Sequence, residues 1–254
     1  TGTAGRVENA QVAVYLVYAS RAGHAVIDRE LYLPQGRMDD PARLRAAGVP
    51  EQVGFATKPE LAKAMVCRAL DAGVPAAWVT GDEVYGANPG LRAELQARGP
   101  GYVLAVACDH PVGCGGATHR ADALLRQVPA QAWQQVSCGK GAKGHRLYDW
   151  AFIRLDHHHR HGGPAPADQA GQHWLLIRRN QRTGELAFYR CWMPCPVSLA
   201  TLVRVAGTRW TVEERFHTGK AWSAWTNTRS AAGAPGTGGS PWRCSPMPSS
   251  FWRP

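Results

Sequence analysis

No apolar run in this chain is long enough to cross a bilayer, so a helical membrane span is not expected. Cysteine is sparse: seven residues, odd in number and irregularly spaced. That pattern excludes a disulfide framework and reads as reduced thiols in a cytoplasmic protein. Acidic residues are also scarce, 19 Asp+Glu against 29 Lys+Arg, for a net charge of +10. Such a balance suits nucleic acid or another polyanion as partner, although GC-rich coding DNA inflates arginine in the same way. An initiator Met is lacking, and Thr1-Gly2-Thr3-Ala4-Gly5-Arg6-Val7-Glu8 is not a signal peptide, so the sequence reads as starting within a domain. The last stretch, 221–254, has no Leu, Ile, Val, Asp or Glu, yet holds four of the ten Trp and five Pro. It is expected to be disordered, since it offers neither helical periodicity nor a core.

What is present is an α/β pattern. Val12, Val14, Leu16 and Tyr18 alternate with Ala13, Tyr15 and Val17, which predicts a strand over Gln11–Ser20 covered on both faces. A turn at Arg21-Ala22-Gly23-His24 leads to a second strand over Ala25–Leu33, closed by Pro34, and hence to a hairpin. Residues 35–56 are punctuated by Gly36, Pro41, Gly48 and Pro50 and read as loop. Thr57-Lys58-Pro59-Glu60 is a capping-box start for a helix over Leu61–Ala72, with Gly73 as its stop. Ala76–Thr80 is a short buried strand that delivers Gly81-Asp82-Glu83. A helix over Pro89–Arg98 and a strand over Tyr102–Ala107 follow. Strand–helix–strand order after a hairpin predicts a mixed sheet flanked by helices. From 108 to 196 helical periodicity fades, and strand-like runs at Leu147–Leu155, His173–Arg179 and Glu185–Trp192 predict a β-rich insertion. Leu199–Lys220 returns to helix.

On that helix Arg209, Glu213 and Lys220 stand at i, i+4 and i+11, which at 3.6 residues per turn places them on one stripe. The stripe suits a carboxylate holding a divalent metal between two cations that hold phosphates; an ordinary solvated face with an Arg–Glu pair has the same spacing. Asp82 stands just past the carboxyl end of a strand, where open α/β sheets place functional groups. Two such carboxylates can share Mg²⁺ ions for in-line phosphoryl transfer, whereas a turn or helix cap also explains Gly81-Asp82-Glu83. His157-His158-His159-Arg160-His161 lies in a Gly/Pro-rich stretch that reads as solvated loop. Cys108, His110 and Cys114 could start a zinc site but lack a second pair with matching spacing. Asp28 and Glu30 share one face of the second strand, which fits a carboxylate donor and a charged edge strand equally.

Several segments together resemble bacterial insertion-sequence transposases of the DDE superfamily. They are Gly2–Asn9, Asp28-Arg29-Glu30-Leu31-Tyr32-Leu33-Pro34, Phe55-Ala56-Thr57-Lys58-Pro59, Trp78–Gly86 and Arg209-Trp210-Thr211-Val212-Glu213-Glu214, in the family's order across about residues 1–220. The resemblance implies a ribonuclease-H-like catalytic domain with a β-rich insertion before its last catalytic helix. It implies a Mg²⁺- or Mn²⁺-dependent enzyme that cuts transposon ends and joins them to target DNA. It also implies a homodimer within a synaptic complex and a cytoplasmic, nucleoid-associated location. Asp82 matches the second catalytic aspartate and Glu213 the catalytic glutamate, both as metal ligands. Arg209 and Lys220 keep the spacing of a Tyr-x2-Arg-x3-Glu-x6-Lys signature and are implied DNA contacts; its tyrosine is Ala206 here.

The matching regions divide into residues 1–107, the N-terminal part of the catalytic core; 108–196, the insertion; 197–220, the catalytic helix; and 221–254, the tail. Two departures shape the expectation for activity. The family's first catalytic Asp, and the strand bearing it, would precede Gly2, so this text holds two of three carboxylates. After Lys220 the family has amphipathic helix, and the neighbouring reading frame with GC-rich codons can restore one, as a single-base deletion would require. A catalytic-domain fragment that does not transpose is therefore expected. The alternatives are a non-catalytic DNA-binding remnant and a non-functional gene product.

Overall fold

The computed structural model describes residues 12–141, 144–156 and 171–221, with backbone alone at 140–141 and 211–221. The Gly2–Asn9 motif, the His157–His161 run and the tail from 222 onward lie outside the described residues, as do the side chains of Glu213 and Lys220. The chain divides into two compact units, Thr1–Tyr32 with Ala56–Thr218 and Leu33–Phe55 with Gly219–Pro254.

In the first unit, β1 (Val12–Ser20) and β2 (Gly23–Tyr32) form an antiparallel hairpin with a register shift between Leu16 and Val17. Helix α3 (Lys58–Asp71) follows; α1 (Gln35–Met38) and α2 (Pro41–Ala46) belong to the second unit. Its start is the predicted capping box. Thr57 Oγ1 accepts from the Glu60 N–H at 3.4 Å, and Glu60 Oε2 accepts from the Thr57 N–H at 2.7 Å. Pro59 occupies a first-turn position where no donor is needed, and Gly73 exits at φ +76°. Asp28 and Glu30 resolve into structural residues: both pair with Arg68 of α3, at 2.8 and 2.6 Å, and so hold the hairpin against that helix. Because these pairs are substantially solvated, each contributes at most about 1 kcal/mol. Leu16 packs against the buried cluster that includes Val66 of α3 and supplies the apolar part of that contact.

A six-stranded sheet occupies the centre. It contains β3 (Trp78–Gly81), β4 (Gly101–Val106), β7 (Gln134–Gly141), β8 (Gly144–Arg154), β9 (Gln172–Arg179) and β10 (Leu186–Met193), in the order β3-β4-β10-β9-β8-β7. β3 and β4 are parallel and every other pairing is antiparallel, so the sheet is mixed. The β-rich character expected of residues 108–196 is present, and its four long strands continue the same sheet from the β4 edge. A small hairpin of β5 (Pro111–Cys114) and β6 (Ala117–Arg120) precedes them.

Alternation along the strands decides which helix covers which face. Tyr102, Leu104 and Trp192 meet α3 and α5 (Pro89–Arg98) through Val66, Leu91 and Leu95. On the same face Val106, Leu175, Ile177 and Phe188 pack with Leu124. The intervening residues Val103, Leu176, Tyr189, Cys191 and Met193 face α6 (Leu199–Ala221) through Leu199, Leu202, Val203 and Ala206. Helices on both faces of a mixed sheet make the fold α/β and ribonuclease-H-like. Among the described residues no helix is long and apolar enough to cross a membrane.

In the second unit, the segment expected to be loop holds two short helices, α1 (Gln35–Met38) and α2 (Pro41–Ala46). The prolines and glycines there mark helix boundaries rather than continuous loop. Pro41 sits at the start of α2, where Asp40 caps by accepting from the Arg43 N–H at 3.0 Å.

Candidate active site

β3 stops at Gly81, where an added Cβ would lie 3.2 Å from the Tyr85 ring and 3.3 Å from Leu104. The chain then turns into α4 (Glu83–Gly86), a single helical turn. Asp82 is its N-cap. Oδ1 accepts from the Val84 N–H at 2.9 Å, and the Asp82 carbonyl accepts from the N–H groups of Tyr85 and Gly86. The structure thus puts the aspartate at the carboxyl end of the parallel strand pair and also gives it the capping role that its sequence allowed. The two roles are compatible, because the carboxylate remains exposed. Beside it, burial and then the Asp82 charge push the Tyr85 phenol up to about 12, so that side chain stays neutral.

The other candidate residues lie on α6, whose Gly207 and Trp210 meet β7 and β8, at the edge of the sheet opposite β3. Ala206, at the signature's tyrosine position, is 1% exposed and packed in the sheet-facing core. Gly207 follows, and an added Cβ there would fall 2.2 Å from the Cys138 carbonyl oxygen of β7. Arg209 sits beside Tyr189 of β10, with its guanidinium 6.0 Å from the Trp210 ring centroid. Trp210 stacks on Tyr148 at 6.1 Å and 21°, and the Arg178 guanidinium lies 4.7 Å from the Tyr148 centroid and 5.5 Å from that of Trp210. This aromatic–cation stack ties α6 to the sheet one turn before Glu213. Glu213 and Lys220 lie on the backbone of α6, and their side chains are outside the described set.

Asp82 offers a hard, solvent-open oxygen donor, the type that Mg²⁺ and Mn²⁺ take, and therefore fits as one ligand of such an ion. Among the described residues no three His, Cys, Asp or Glu side chains gather as a metal-binding group. The Cys108–His110–Cys114 zinc reading gains no support from the contacts. Cys114 Sγ donates to Gln127 and to the Arg154 carbonyl, whereas His110 feels the charges of two arginines.

Those arginines, Arg92 of α5 and Arg190 of β10, were not singled out in the sequence. The signal that could have marked Arg190 is a lone charge inside the apolar run Leu186–Met193, the mark of a buried cation. Burial first, then the charges of Arg92 and Arg190, push His110 down to about 4; Asp109 opposes this weakly. Below pH 6.5 the unfolded chain takes up a proton that folded His110 refuses until about pH 4, so stability falls with pH across that window. Discounted for partial solvation, the loss is on the order of 1 kcal/mol. Urea midpoints of the parent and His110→Gln, measured at pH 7 and pH 4.5, test this: the parent should lose more stability than the variant. Equal losses would remove His110 as the cause.

A mixed sheet with helices on both faces defines the α/β, ribonuclease-H-like class of fold. A family model for DDE superfamily endonucleases matches residues 1–144, which include β1 to β7 and Asp82. The chain belongs to this family, the group of DDE-type transposases, whose substrate is DNA and whose chemistry uses divalent metal ions. A comparison with curated proteins finds no match.

Proposed function

We propose that this chain is the catalytic-domain portion of an insertion-sequence DNA transposase, with Asp82 and Glu213 as ligands of Mg²⁺ or Mn²⁺ and Arg209 and Lys220 as DNA contacts. The observation that carries the reading is the exposed Asp82 at the carboxyl end of β3, inside the matched span. The spacing of Arg209, Glu213 and Lys220 on one helix supports it further. A metal held there would activate the attacking oxygen and stabilise the leaving one at a DNA phosphodiester. Arg209 would neutralise backbone phosphate from a position braced by the Trp210 stack.

Residues 221–254 hold no Leu, Ile, Val, Asp or Glu, where the resemblance implies amphipathic helix. We therefore assign it DNA and metal binding without completed transposition, rather than a full cycle of end cleavage and strand transfer. The net charge of +10 supports DNA binding through phosphate neutralisation. The family's synaptic homodimer belongs to the same proposal, as does a place at the nucleoid.

Two measurements test it on the full chain. Duplex DNA binding, followed by anisotropy, should weaken about a thousandfold between 50 and 200 mM salt if roughly six phosphates are contacted. Nicking of supercoiled DNA carrying the element's ends, with Mg²⁺ or Mn²⁺, should be absent. Cleavage that both Asp82→Asn and Glu213→Gln abolish would overturn the assignment of inactivity and establish the enzyme. Failure to bind DNA at 50 mM salt would remove the DNA-binding reading altogether.

A further inference from the structure

Two arginine side chains converge behind α4 where the sheet is apolar. Arg190 faces the α5 side of β10, directly opposite Leu104 and between Phe188 and Trp192 on the same face. It is 5% exposed. Its neighbours are the Tyr102 phenol and the Pro111 carbonyl, which accepts from Nη1 at 3.5 Å, while Nε is buried with no hydrogen-bond partner. Arg92 reaches in from α5 and donates to the Gly86 carbonyl at the end of α4. His110, which immediately precedes Pro111, brings a third polar group, and its Nε2 is likewise buried without a partner.

Among the described residues, neither arginine forms a salt bridge with a carboxylate. That is an unusual arrangement. A guanidinium removed from water loses several kcal/mol of solvation unless a counter-charge replaces it, and two of them together add mutual repulsion. The strain is visible on Arg92, which burial, followed by the charge of Arg190, pushes down to about 10. Buried arginines elsewhere in the chain are handled differently: Arg178 has Glu185 at 3.0 Å and a stacked tyrosine. The polar partners that Arg92 and Arg190 do have, the Gly86 and Pro111 carbonyls and the Tyr102 phenol, are neutral, so their charge is left for an anion to balance. The geometry of a guanidinium fork matches a tetrahedral oxyanion, which takes two N–H groups from one arginine and further donors from a second.

We propose that Arg92, Arg190 and His110 form a binding site for a phosphate-type oxyanion, placed behind the helical turn that carries Asp82. Arg190 is the floor of the site, and the half-buried Arg92 and His110 are its rim. The bound group shares its chemistry with two sources, inorganic phosphate and a phosphate of the DNA backbone. Arg92 links the site to Asp82 through α4. One end of that turn is capped by the Asp82 carboxylate and the other is held by Arg92 at the Gly86 carbonyl. An oxyanion drawing on Arg92 would therefore act on the same turn as the metal ligand.

The test is calorimetric binding of inorganic phosphate to the full chain at pH 7.5 and fixed ionic strength, with no metal present. It therefore stands or falls separately from the catalytic proposal. The parent should bind phosphate, and Arg92→Gln and Arg190→Met should each weaken it about tenfold or more, the usual effect of deleting a hydrogen bond to a charged group. Arg204→Gln, on the exposed surface of α6, should bind as the parent does. Should Arg190→Met fail to fold, His110→Gln together with Arg92→Gln carries the comparison. A short duplex distinguishes the sources. Competition between duplex and phosphate that is lost in Arg92→Gln identifies a backbone phosphate, and phosphate binding without competition identifies the free ion. Absence of phosphate binding by the parent, or equal affinity in the parent and Arg92→Gln, would overturn the site.

Discussion

Gly86→Ala and Gly207→Ala should each lower the urea midpoint of unfolding, against the intrinsic preference of a helix for alanine. Glycine within a helix costs roughly 0.5–1 kcal/mol relative to alanine, so propensity alone predicts a gain from both changes. The surroundings reverse it. A Cβ at Gly86 would stand 1.8 Å from the Ala105 carbonyl oxygen of β4, and one at Gly207 would stand 2.2 Å from the Cys138 carbonyl oxygen of β7. Both obstacles are strand backbone, which cannot rotate away as a side chain can. Overpacking of this kind costs about 1–3 kcal/mol and sometimes more, and it exceeds the propensity gain. Gly86→Ala, with the closer clash, should be the more damaging. Thr208→Ala, next to Gly207 but with its hydroxyl bonded only to the Arg204 carbonyl of its own helix, serves as a control with a much smaller shift. A midpoint unchanged or raised in Gly207→Ala would mean that α6 does not press on β7. Because these two glycines seat the turn after Asp82 and the helix ahead of Glu213, their replacement should also weaken whatever those elements bind.

The ease with which each part of this arrangement could be read from sequence follows the range of the interactions that make it. The β1–β2 hairpin, α3 and α5 were legible because their determinants are local: alternation over nine or ten residues, the Thr57–Glu60 box, and Asn88-Pro89 at one end of α5 with Gly99 at the other. The short helices at 35–46 were not, since a helix of one turn has too few residues to show a period and Pro41 reads as a breaker. Strands in 134–193 were legible as strands, but their place was not. β10 lies beside β4, far from it in sequence, and nothing in the period of either strand announces that partner. The same limit hid Arg190. Its charge is written in the sequence, whereas its burial beneath Arg92 and His110 is a property of three elements packed together. Asp82 was legible through position, just past a buried strand. Its cap was legible too, and the sequence left open which of the two mattered because both ask for the same residue.

Two substitutions at Asp82 separate those roles. Asp82→Asn keeps an oxygen that can accept from the Val84 N–H, so the cap survives, while the charge that would hold a divalent ion is lost. Asp82→Ala removes both. The cap is expected to contribute about 1 kcal/mol, so Asp82→Ala should unfold at lower urea than the parent and Asp82→Asn should unfold close to it. Metal binding should divide the variants differently. Mn²⁺ affinity, followed by paramagnetic resonance of the free ion, should fall about tenfold or more in both, because a neutral amide is a far weaker ligand for a hard cation than a carboxylate. Glu213→Gln should cause a loss similar to Asp82→Asn, and Asp82→Asn with Glu213→Gln together should lose less than the sum of the two. Such non-additivity is what ligands of one shared ion produce, since the second removal acts on a site already emptied by the first. Additive small losses, or Mn²⁺ binding untouched by Asp82→Asn, would leave Asp82 as a helix cap alone and separate this chain from the metal chemistry of its family.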